Sequence, residues 1–116
     1  MTFADPAEYL LVITSLPDAE SAGKLARALV EQGLAACVNV LGSCHSVYRW
    51  QGRMEDATEI PLFIKTTRAR YGAVEARIRN LHPYSLPEII ALPLTAGSPD
   101  YLKWIKGETE PSCAVC

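Results

Sequence analysis

The sequence predicts an α+β fold, and three observations support this prediction. Hydrophobic patterns typical of strand, helix, strand, strand, helix and strand follow one another along the chain. The apolar run 10–13 has no polar face, which indicates a buried central strand. A long β-hairpin turns at Gln51 and Gly52. This order is that of the split β-α-β, or ferredoxin-like, fold, in which the first and third strands are central and the second and fourth are edges.

Length and charge limit the classes of protein that the chain can belong to. Its 116 residues suffice for one hydrophobic core, so we expect one domain over 1–116, with an ordered core at about 8–107 and a flexible tail at 108–116. The 11 basic and 13 acidic residues are interspersed, which argues against nucleic acid as a partner. The sequence contains neither a span long enough to cross a bilayer nor a signal peptide. We therefore expect a cytosolic protein that has no membrane partner.

The first strand and helix are clearly delimited. The strand is predicted at Tyr9–Thr14, and Pro17 ends it. Asp18 is a suitable N-cap for the helix that follows, and Gly33 supplies its C-terminal stop. The apolar residues of the helix recur at helical spacing, which predicts that it packs on one face of the sheet. These residues are Ala22, Leu25, Ala26 and Leu29.

The hairpin is longer than a domain of this size can cover. Its first arm is predicted at Ala36–Val40 and Ser46–Trp50, with a bulge at Gly42 between them. The return arm is predicted at Arg53–Thr66, although usual strands have roughly 5 to 6 residues. Pro61 lies in this arm and cannot donate a ladder hydrogen bond, so we expect a bulge or a change of pairing partner near it. Long edge strands pair readily with another chain, so the hairpin predicts an oligomer.

The second half of the chain repeats the pattern of helix and strand. Thr67 is the predicted N-cap of a helix that ends before Pro83. A last strand is predicted at Glu88–Leu94, at an edge of the sheet because it contains Pro93. A short helix over Pro99–Ile105 follows. The predicted buried stripe of the second helix is Tyr71, Val74, Ile78 and Leu81.

The sequence lacks the residues that several functions of this fold require. A copper chaperone needs two thiolates in the loop after the first strand, and residues 14–17 contain no cysteine. An RNA-recognition domain needs stacking aromatic residues on the third strand, which residues 60–66 do not supply. The sequence offers no triad of nucleophile, base and orienting acid, and Glu55, Asp56 and Glu59 are predicted to form a solvated hairpin face. We therefore expect a protein that is not an enzyme and has no tightly bound cofactor.

A few residues remain as candidates for binding. His82 is either a metal ligand or a cation that satisfies carbonyl groups at a helix end. Cys37, in a strand, is either a metal ligand or a small buried hydrophobic residue. Lys65 leaves an apolar strand at its end, where an anion or Glu88 would pair with it. Cys113 and Cys116 form one Cys-x-x-Cys motif, which is a weak metal signal by itself.

Two further pairs of residues lie close together in the sequence, and the face of the strand on which each residue lies decides what the pair can do. Tyr48 and Trp50 are two residues apart and therefore share one face of the hairpin arm, where a neighbouring subunit is expected to cover them. Cys44 and His45 are neighbours and point to opposite faces of a strand, so they cannot easily share one ion.

Five strings in the right order give the chain a specific resemblance to the CutA family, the divalent-cation tolerance proteins. The resemblance covers about residues 9–106. The strings are Leu34-Ala35-Ala36-Cys37-Val38-Asn39, Ser46-Val47-Tyr48-Arg49-Trp50-Gln51-Gly52-Arg53, Ile64-Lys65-Thr66-Thr67, His82-Pro83-Tyr84 and Pro87-Glu88-Ile89-Ile90-Ala91-Leu92-Pro93. The resemblance implies a ferredoxin-like subunit, a homotrimer with interlocking hairpins, and a role in tolerance of copper and other divalent cations.

The resemblance also implies where ligands bind, namely in clefts between subunits. The metal ligands it implies are His82 and Cys37, for Cu(II) or another divalent cation. The other cleft residues it implies are Tyr48, Trp50, Lys65, Tyr84 and Glu88. Thr14 and Leu81 stand where some family members carry a cysteine and a second histidine, so metal binding is expected to be weak.

The family is also related in architecture to the PII signalling proteins, which leaves an alternative function open. In this alternative, the cleft binds a small anionic metabolite and the protein regulates a partner. Lys65 and Arg49 would favour this alternative.

Overall fold

The fold was analysed in a computed structural model, which describes residues 2–3 and 8–111. The strands are β1 (Thr2–Phe3), β2 (Tyr9–Leu16), β3 (Cys37–Val40), β4 (Cys44–Trp50), β5 (Arg53–Thr67), β6 (Ile90–Pro93) and β7 (Ala96–Gly97). The helices are α1 (Ala19–Glu31), α2 (Arg68–Leu81) and α3 (Pro99–Thr109). In the part of the chain described, no helix is long and apolar enough to cross a membrane. Cys113 and Cys116 lie outside the described residues.

The main sheet is antiparallel and has the strand order β3, β5, β2, β6, with β4 continuing the β3 arm along β5. The predicted first and third strands, β2 and β5, are therefore central, and the second and fourth are edges. This arrangement confirms the ferredoxin-like prediction. Strand β2 extends two residues beyond its predicted end, and β6 is shorter than predicted.

The bulge in the hairpin occurs in the first arm, opposite Pro61. Val40 pairs with Leu62, and Cys44 pairs with Glu59, so three residues (41–43) face two (60–61). The N–H of Leu41 donates to the carbonyl of Pro61 at 3.0 Å. In an antiparallel strand the nitrogen and the carbonyl of a residue point to the same side, so the nitrogen of Pro61 faces the interrupted stretch of the first arm. The missing donor therefore costs the ladder no hydrogen bond, and the predicted irregularity near Pro61 is confirmed.

The two sheet-covering helices begin as their sequences predict. The Asp18 side chain accepts a hydrogen bond from the N–H of Ser21 at 2.7 Å, which satisfies an unpaired donor at the start of α1. Gly33 follows α1 with φ +67°, a conformation that favours glycine. Thr67 occupies the N-cap position of α2, but its side chain makes no capping hydrogen bond.

The main core lies between α1, α2 and one face of the sheet. Strand residues of even number on β2 and β5 point into it, because successive side chains of a strand alternate between faces. On α2 only Val74 and Ile78 are fully buried, and Tyr71 and Leu81 pack at the margin of the core. The core residues include Leu10, Val12, Leu16, Leu25, Leu29, Leu62 and Ile64.

Thr14 is fully buried in this core, and its hydroxyl has no hydrogen-bond partner among the described residues. A buried polar group without a partner reduces stability, whereas an apolar group of the same shape does not. We expect Thr14→Val to raise the free energy of unfolding by about 1 kcal/mol. Chemical denaturation at fixed protein concentration measures this change, with Thr58→Val on the exposed hairpin as the control. A less stable Thr14→Val variant would contradict the conclusion that the Thr14 hydroxyl has no hydrogen-bond partner.

Helix α3 is longer than predicted. It continues to Thr109, whose buried hydroxyl donates to the carbonyl of Ile105 at 2.8 Å. Residues 108 and 109, which were predicted to belong to the tail, are therefore part of this helix. Leu102 and Ile105 pack with Tyr9 and Ala36 in a second, smaller cluster. The pairing of β1 with β7 was not predicted.

The second face of the sheet is covered by α3 at one end only. Beyond that end, the side chains that alternate with the core residues form an apolar surface that we call the open face. Its members are Leu11 and Ile13 of β2, Phe63 of β5, and Ile90 and Leu92 of β6. Ile90 and Leu92 are 51% and 46% exposed. The open face lies on central as well as edge strands of the sheet.

The end of the hairpin extends past the rest of the sheet. Strand β2 stops opposite Ile60, so residues 53–59 of β5 pair with β4 alone, over a length of about 24 Å. Val47 and Met54 there are 62% and 80% exposed. A two-stranded hairpin is marginally stable in water by itself, so this segment offers both of its edges for pairing.

Candidate functional site

A cavity of about 900 Å³ lies between the projecting hairpin and the segment that joins α2 to β6. The hairpin forms one wall because β4 and β5 extend past the end of β2, and the segment 83–88 forms the other. The residues that line it are Ser46, Val47, Tyr48, Trp50, Glu59, Pro83, Tyr84, Ser85, Leu86, Pro87 and Glu88. Its volume is within the range of roughly 300 to 1,000 Å³ that is usual for small-ligand sites.

Tyr84 connects the two walls of the cavity. Its hydroxyl donates to the Glu59 carboxylate at 3.2 Å. Partial burial raises the pKa of Tyr84, and the negative charge of Glu59 and the neighbouring Tyr48 raise it further. The phenol therefore stays protonated at neutral pH, as donation to Glu59 requires.

Glu59 and Glu88 give the cavity two carboxylates. Desolvation raises the pKa of Glu88 because burial disfavours the charged carboxylate, and the negative charge of Glu59 raises this pKa further. None of the described residues that line the cavity is Lys, Arg or His. The cavity therefore has a negative potential that no basic residue in its lining neutralises.

The raised pKa of Glu88 has a consequence for stability. Because the folded protein binds this proton more tightly than the unfolded chain, stability falls as pH rises through the pKa of Glu88. We expect Glu88→Gln to be more stable than the unmodified protein at pH 7, with the difference disappearing below the unfolded-state pKa of about 4.5. Denaturation curves between pH 4 and pH 7.5 measure this difference. If Glu88→Gln is less stable at pH 7, the raised pKa is wrong.

His82 lies at the C-cap of α2 and is buried. Its Nδ1 accepts from the N–H of Tyr84 at 3.1 Å, so the ring proton is on Nε2, which donates to the carbonyl of Ser15 at 2.7 Å. Its ring packs against the ring of Tyr84, with 4.8 Å between centroids. His82 thus fixes the start of the segment 83–88 to strand β2, and both of its nitrogens are occupied.

Cys37 and Lys65 lie far from the cavity, as cross-strand partners on β3 and β5. The Lys65 ammonium group donates to the Tyr101 hydroxyl at 3.4 Å and lies 5.7 Å from the centre of that ring. Lys65 therefore interacts with α3 and not with Glu88, which was a predicted partner. Cys37 is half-buried and carries a free thiol.

The structure divides the predicted site residues into three groups. It brings Tyr48, Trp50, Tyr84 and Glu88 together around the cavity, and Tyr48 and Trp50 share a face as predicted. His82 supports the cavity wall from behind without lining the cavity, while Cys37 and Lys65 lie elsewhere.

Glu59 is the charged lining residue that the sequence prediction missed. It was assigned to a solvated hairpin face, but it is half-buried and bonded to Tyr84. Glu59 pairs with Cys44 just past the bulge opposite Pro61, where the hairpin leaves the rest of the sheet. The position of Glu59 close to Pro61 was therefore the clue to its place in the cavity lining.

The predicted metal ligands do not form a metal site within one subunit. His82 bonds to Ser15, which pairs with Pro61, whereas Cys37 pairs with Lys65, four residues and about 13 Å along β5. Within residues 8–111, no three His, Cys, Asp or Glu side chains come together as a group that could hold a metal ion. His45 lies 3.7 Å from Asp56, but both are exposed.

Comparison with known proteins gives consistent results. Residues 10–108 match the family described as CutA1 divalent ion tolerance protein. The divalent-cation tolerance protein CutA of Thermus thermophilus is 42% identical over 99 residues, which are 85% of this chain and 96% of that protein. Three longer relatives are also similar, and the chain spans 59% of the length of each.

Solved structures are similar over most of the chain. The crystal structure of CutA from Xylella fastidiosa has a TM-score of 0.85 and 44% identity, and covers 88% of this chain and 98% of that one. A structure from Archaeoglobus fulgidus, described as a periplasmic divalent cation tolerance protein CutA, has a TM-score of 0.85 and 32% identity. It covers 88% of this chain and 99% of that one.

Proposed function

Since the chain belongs to the family of CutA1 divalent ion tolerance proteins, we propose that it acts in tolerance of divalent metal cations. In this proposal it is a homotrimer that binds Cu(II) or another divalent cation weakly in the cavity between the hairpin and the segment 83–88. The observation that carries the proposal is the pair of carboxylates, Glu59 and Glu88, in a cavity lining without basic residues.

The two carboxylates support a cation in the cavity. A divalent cation between Glu59 and Glu88 would relieve the repulsion that contributes to the raised pKa of Glu88. Carboxylate oxygens are ligands for hard and borderline divalent cations. Two such ligands, with water completing the shell, give weak binding. The proposal therefore assigns the cation to Glu59 and Glu88, and it assigns His82 the role of positioning the cavity wall.

The trimer is supported by two unpaired surfaces. The open face has apolar side chains on central and edge strands, and a patch of this kind on a single chain marks an interaction surface. The projecting hairpin carries unpaired edges that neighbouring subunits can extend. Since the hairpin is one wall of the cavity, assembly would place the cavity at a boundary between subunits.

The titration of the protein with Cu(II) and Zn(II) in a calorimeter tests the cation proposal. We expect Glu59→Gln and Glu88→Gln each to weaken binding about tenfold or more, because each removes one of two charged ligands. Glu55→Gln, on the exposed hairpin, is the matched control and should bind as the unmodified protein does. If affinity stays unchanged in both cavity variants and is lost when the chain is truncated before Cys113, the site is in the tail and the proposal is wrong.

Two further parts of the proposal are a cytosolic location and the absence of an enzymatic role. The free thiols of Cys37 and Cys44 suit a reducing compartment. The cavity supplies carboxylates and phenols but no nucleophile positioned by a base. Cell fractionation tests the location, and a protein found outside the cytosol would contradict it.

No observation favours the alternative of an anionic metabolite. Lys65, which was expected to recognise the anion, interacts with Tyr101, and Arg49 pairs with Met54 near the hairpin turn. Neither residue lines the cavity.

A further inference from the structure

We infer that the start of helix α2 is a binding site for the phosphate group of a small molecule. The site is a cavity of about 490 Å³ between the first turn of α2 and the end of α3, which we call the α2 cavity. It is separate from the cavity of the proposed metal site, so this inference and the proposed function can fail independently. The lining residues that determine its chemistry are Glu8, Thr67, Arg68, Ala69, Lys106 and Glu110.

The α2 cavity lies away from the two surfaces that the proposed trimer uses. Strands β2 and β5 pair from Thr67, at this end of the sheet, to Ile60, where the hairpin begins to project. These positions are seven residues, or about 23 Å, apart on β5. Helix α2 packs on the core face of the sheet, opposite the open face, and Lys106 is about 140° around α3 from Tyr101, which contacts Lys65. Assembly through the hairpin and the open face would therefore leave this cavity accessible.

The first turn of α2 supplies backbone donors for an anion. The N–H of Arg68 donates to the carbonyl of Glu8 at 2.8 Å. The following N–H groups, of Ala69 and Arg70, have no acceptor within the helix, because the first N–H groups of a helix lack intrahelical partners. No acidic side chain occupies this turn. The positive end of the helix dipole therefore favours a bound anion here.

Thr67 provides a second donor that the fold does not use. It is 6% exposed and lines the α2 cavity. Its side chain occupies the N-cap position but makes no capping hydrogen bond, and its hydroxyl is not among the unpartnered atoms that the described residues enclose completely. The hydroxyl therefore borders the cavity, where it can donate to an oxyanion.

Arg68 adds a positive charge beside these donors. It is exposed and makes no ion pair with any residue that the structure describes. Its guanidinium group stays charged and can donate to two oxygens of a phosphate at once. A guanidinium group, a hydroxyl and the N–H groups of a helix start form a donor set suited to phosphate.

The acidic residues of the lining lie towards Lys106. Glu8 pairs with the Lys106 ammonium group at 3.1 Å. The hydrogen bond and charge of Glu8 raise the pKa of Lys106 most, and the charge of Glu110 raises it further. Both carboxylates therefore act on the α3 side of the cavity, which leaves Arg68 and the start of α2 to bind the anion. Glu110 makes no ion pair with a described residue, so it repels a bound anion.

The size of the α2 cavity indicates more than a free inorganic ion. Its volume is within the range of roughly 300 to 1,000 Å³ that is usual for small-ligand sites, and a phosphate ion would fill only a part of it. Ala69 and Pro111 add apolar surface to the lining. The ligand class is therefore a phosphate monoester with a small organic group.

The experiment uses the full chain, labelled with ¹⁵N and kept in EDTA, and titrated with phenyl phosphate at constant ionic strength. The amide signals of Ala69 and Arg70 report binding at the start of α2. Inorganic phosphate tests the anion alone, and phenol tests the ring alone. The variants are Arg68→Gln, Thr67→Val and Glu110→Gln. Arg27→Gln is the matched control, because Arg27 is exposed on α1 and makes no ion pair with a described residue.

We expect both amide signals to shift saturably with phenyl phosphate, and with inorganic phosphate at lower affinity. Affinity for phenyl phosphate should fall about tenfold in Arg68→Gln and about threefold in Thr67→Val, because each variant loses a donor to the phosphate. It should rise in Glu110→Gln, which removes a repelling charge, and stay unchanged in Arg27→Gln.

Four results would overturn the inference. The first is the absence of saturable shifts at Ala69 and Arg70, and the second is an equal response to phenol. The third is an affinity that is unchanged in both Arg68→Gln and Thr67→Val. The fourth is an equal loss of affinity in Arg68→Gln and Arg27→Gln, which would show that the anion responds only to the overall charge of the protein.

Discussion

Replacing His82 by alanine is expected to lower the free energy of unfolding by about 3 kcal/mol, in protein that contains no metal. The imidazole joins the carbonyl of Ser15 to the N–H of Tyr84, and its hydrogen bond to Ser15 is buried while that to Tyr84 is partly buried. Alanine leaves the buried acceptor without a partner, which costs about 1 to 3 kcal/mol, and it also removes the partner of the partly buried donor. Chemical denaturation in EDTA, at equal protein concentration, measures the change.

His45→Ala is the control for this experiment. His45 is on the exposed hairpin, and its side chain lies 3.7 Å from that of Asp56, which is also exposed, so its replacement should change stability by less than about 0.5 kcal/mol. A His82→Ala variant that is as stable as the unmodified protein but has lost metal binding would show that His82 is a ligand. That result would contradict the positioning role assigned to it.

The second large effect is expected at the open face, where Leu92→Lys should convert the proposed trimer into monomers at micromolar concentration. Leu92 lies on edge strand β6 opposite Leu11, with its side chain on the uncovered side of the sheet. Association would bury three added ammonium groups, and each buried charge without a partner costs about 3 kcal/mol or more. Light scattering coupled to size exclusion measures the mass.

Val30→Lys is the matched control for the open face. Val30 is 45% exposed, close to the 46% of Leu92, but it lies on α1, on the opposite side of the sheet. Its replacement should leave the mass unchanged. If the trimer persists in Leu92→Lys, or is lost equally in Val30→Lys, the open face is not a contact surface between subunits.

Local patterns were sufficient to predict the architecture. The apolar run of β2, the cap at Asp18 and the turn at Gln51 and Gly52 depend on neighbours in the sequence, and each was found where expected. The strand order followed from these elements because few topologies satisfy them. The bulge opposite Pro61 was also predictable, since proline cannot donate to a ladder.

The candidate site was only partly predictable, because contacts distant in sequence determine it. Because side chains alternate between the two faces of a strand, Tyr48 and Trp50 could be placed on one face from the sequence. The family resemblance added Tyr84 and Glu88 to the predicted site residues. Glu59 acquires its role from Tyr84, 25 residues away, and the buried position of His82 depends on Ser15, 67 residues away. No pattern of local spacing carries that information. The pairing of β1 with β7 was missed for the same reason, since two-residue strands have no detectable period.

The hairpin links the proposed assembly to the site. Its length, which first indicated an oligomer, also carries Tyr48, Trp50 and Glu59 beyond the sheet to face the segment 83–88.

The position of a bound cation is the most direct test of the central claim, that the cavity carboxylates and not His82 with Cys37 bind the metal. Crystals grown with Zn(II) and with Cu(II) can be measured at the absorption edge of each metal. We expect an anomalous peak within coordination distance of the Glu59 and Glu88 carboxylates, about 2.0 to 2.2 Å from their oxygens for zinc. A peak at the His82 imidazole or the Cys37 thiolate, with none in the cavity, would contradict the claim.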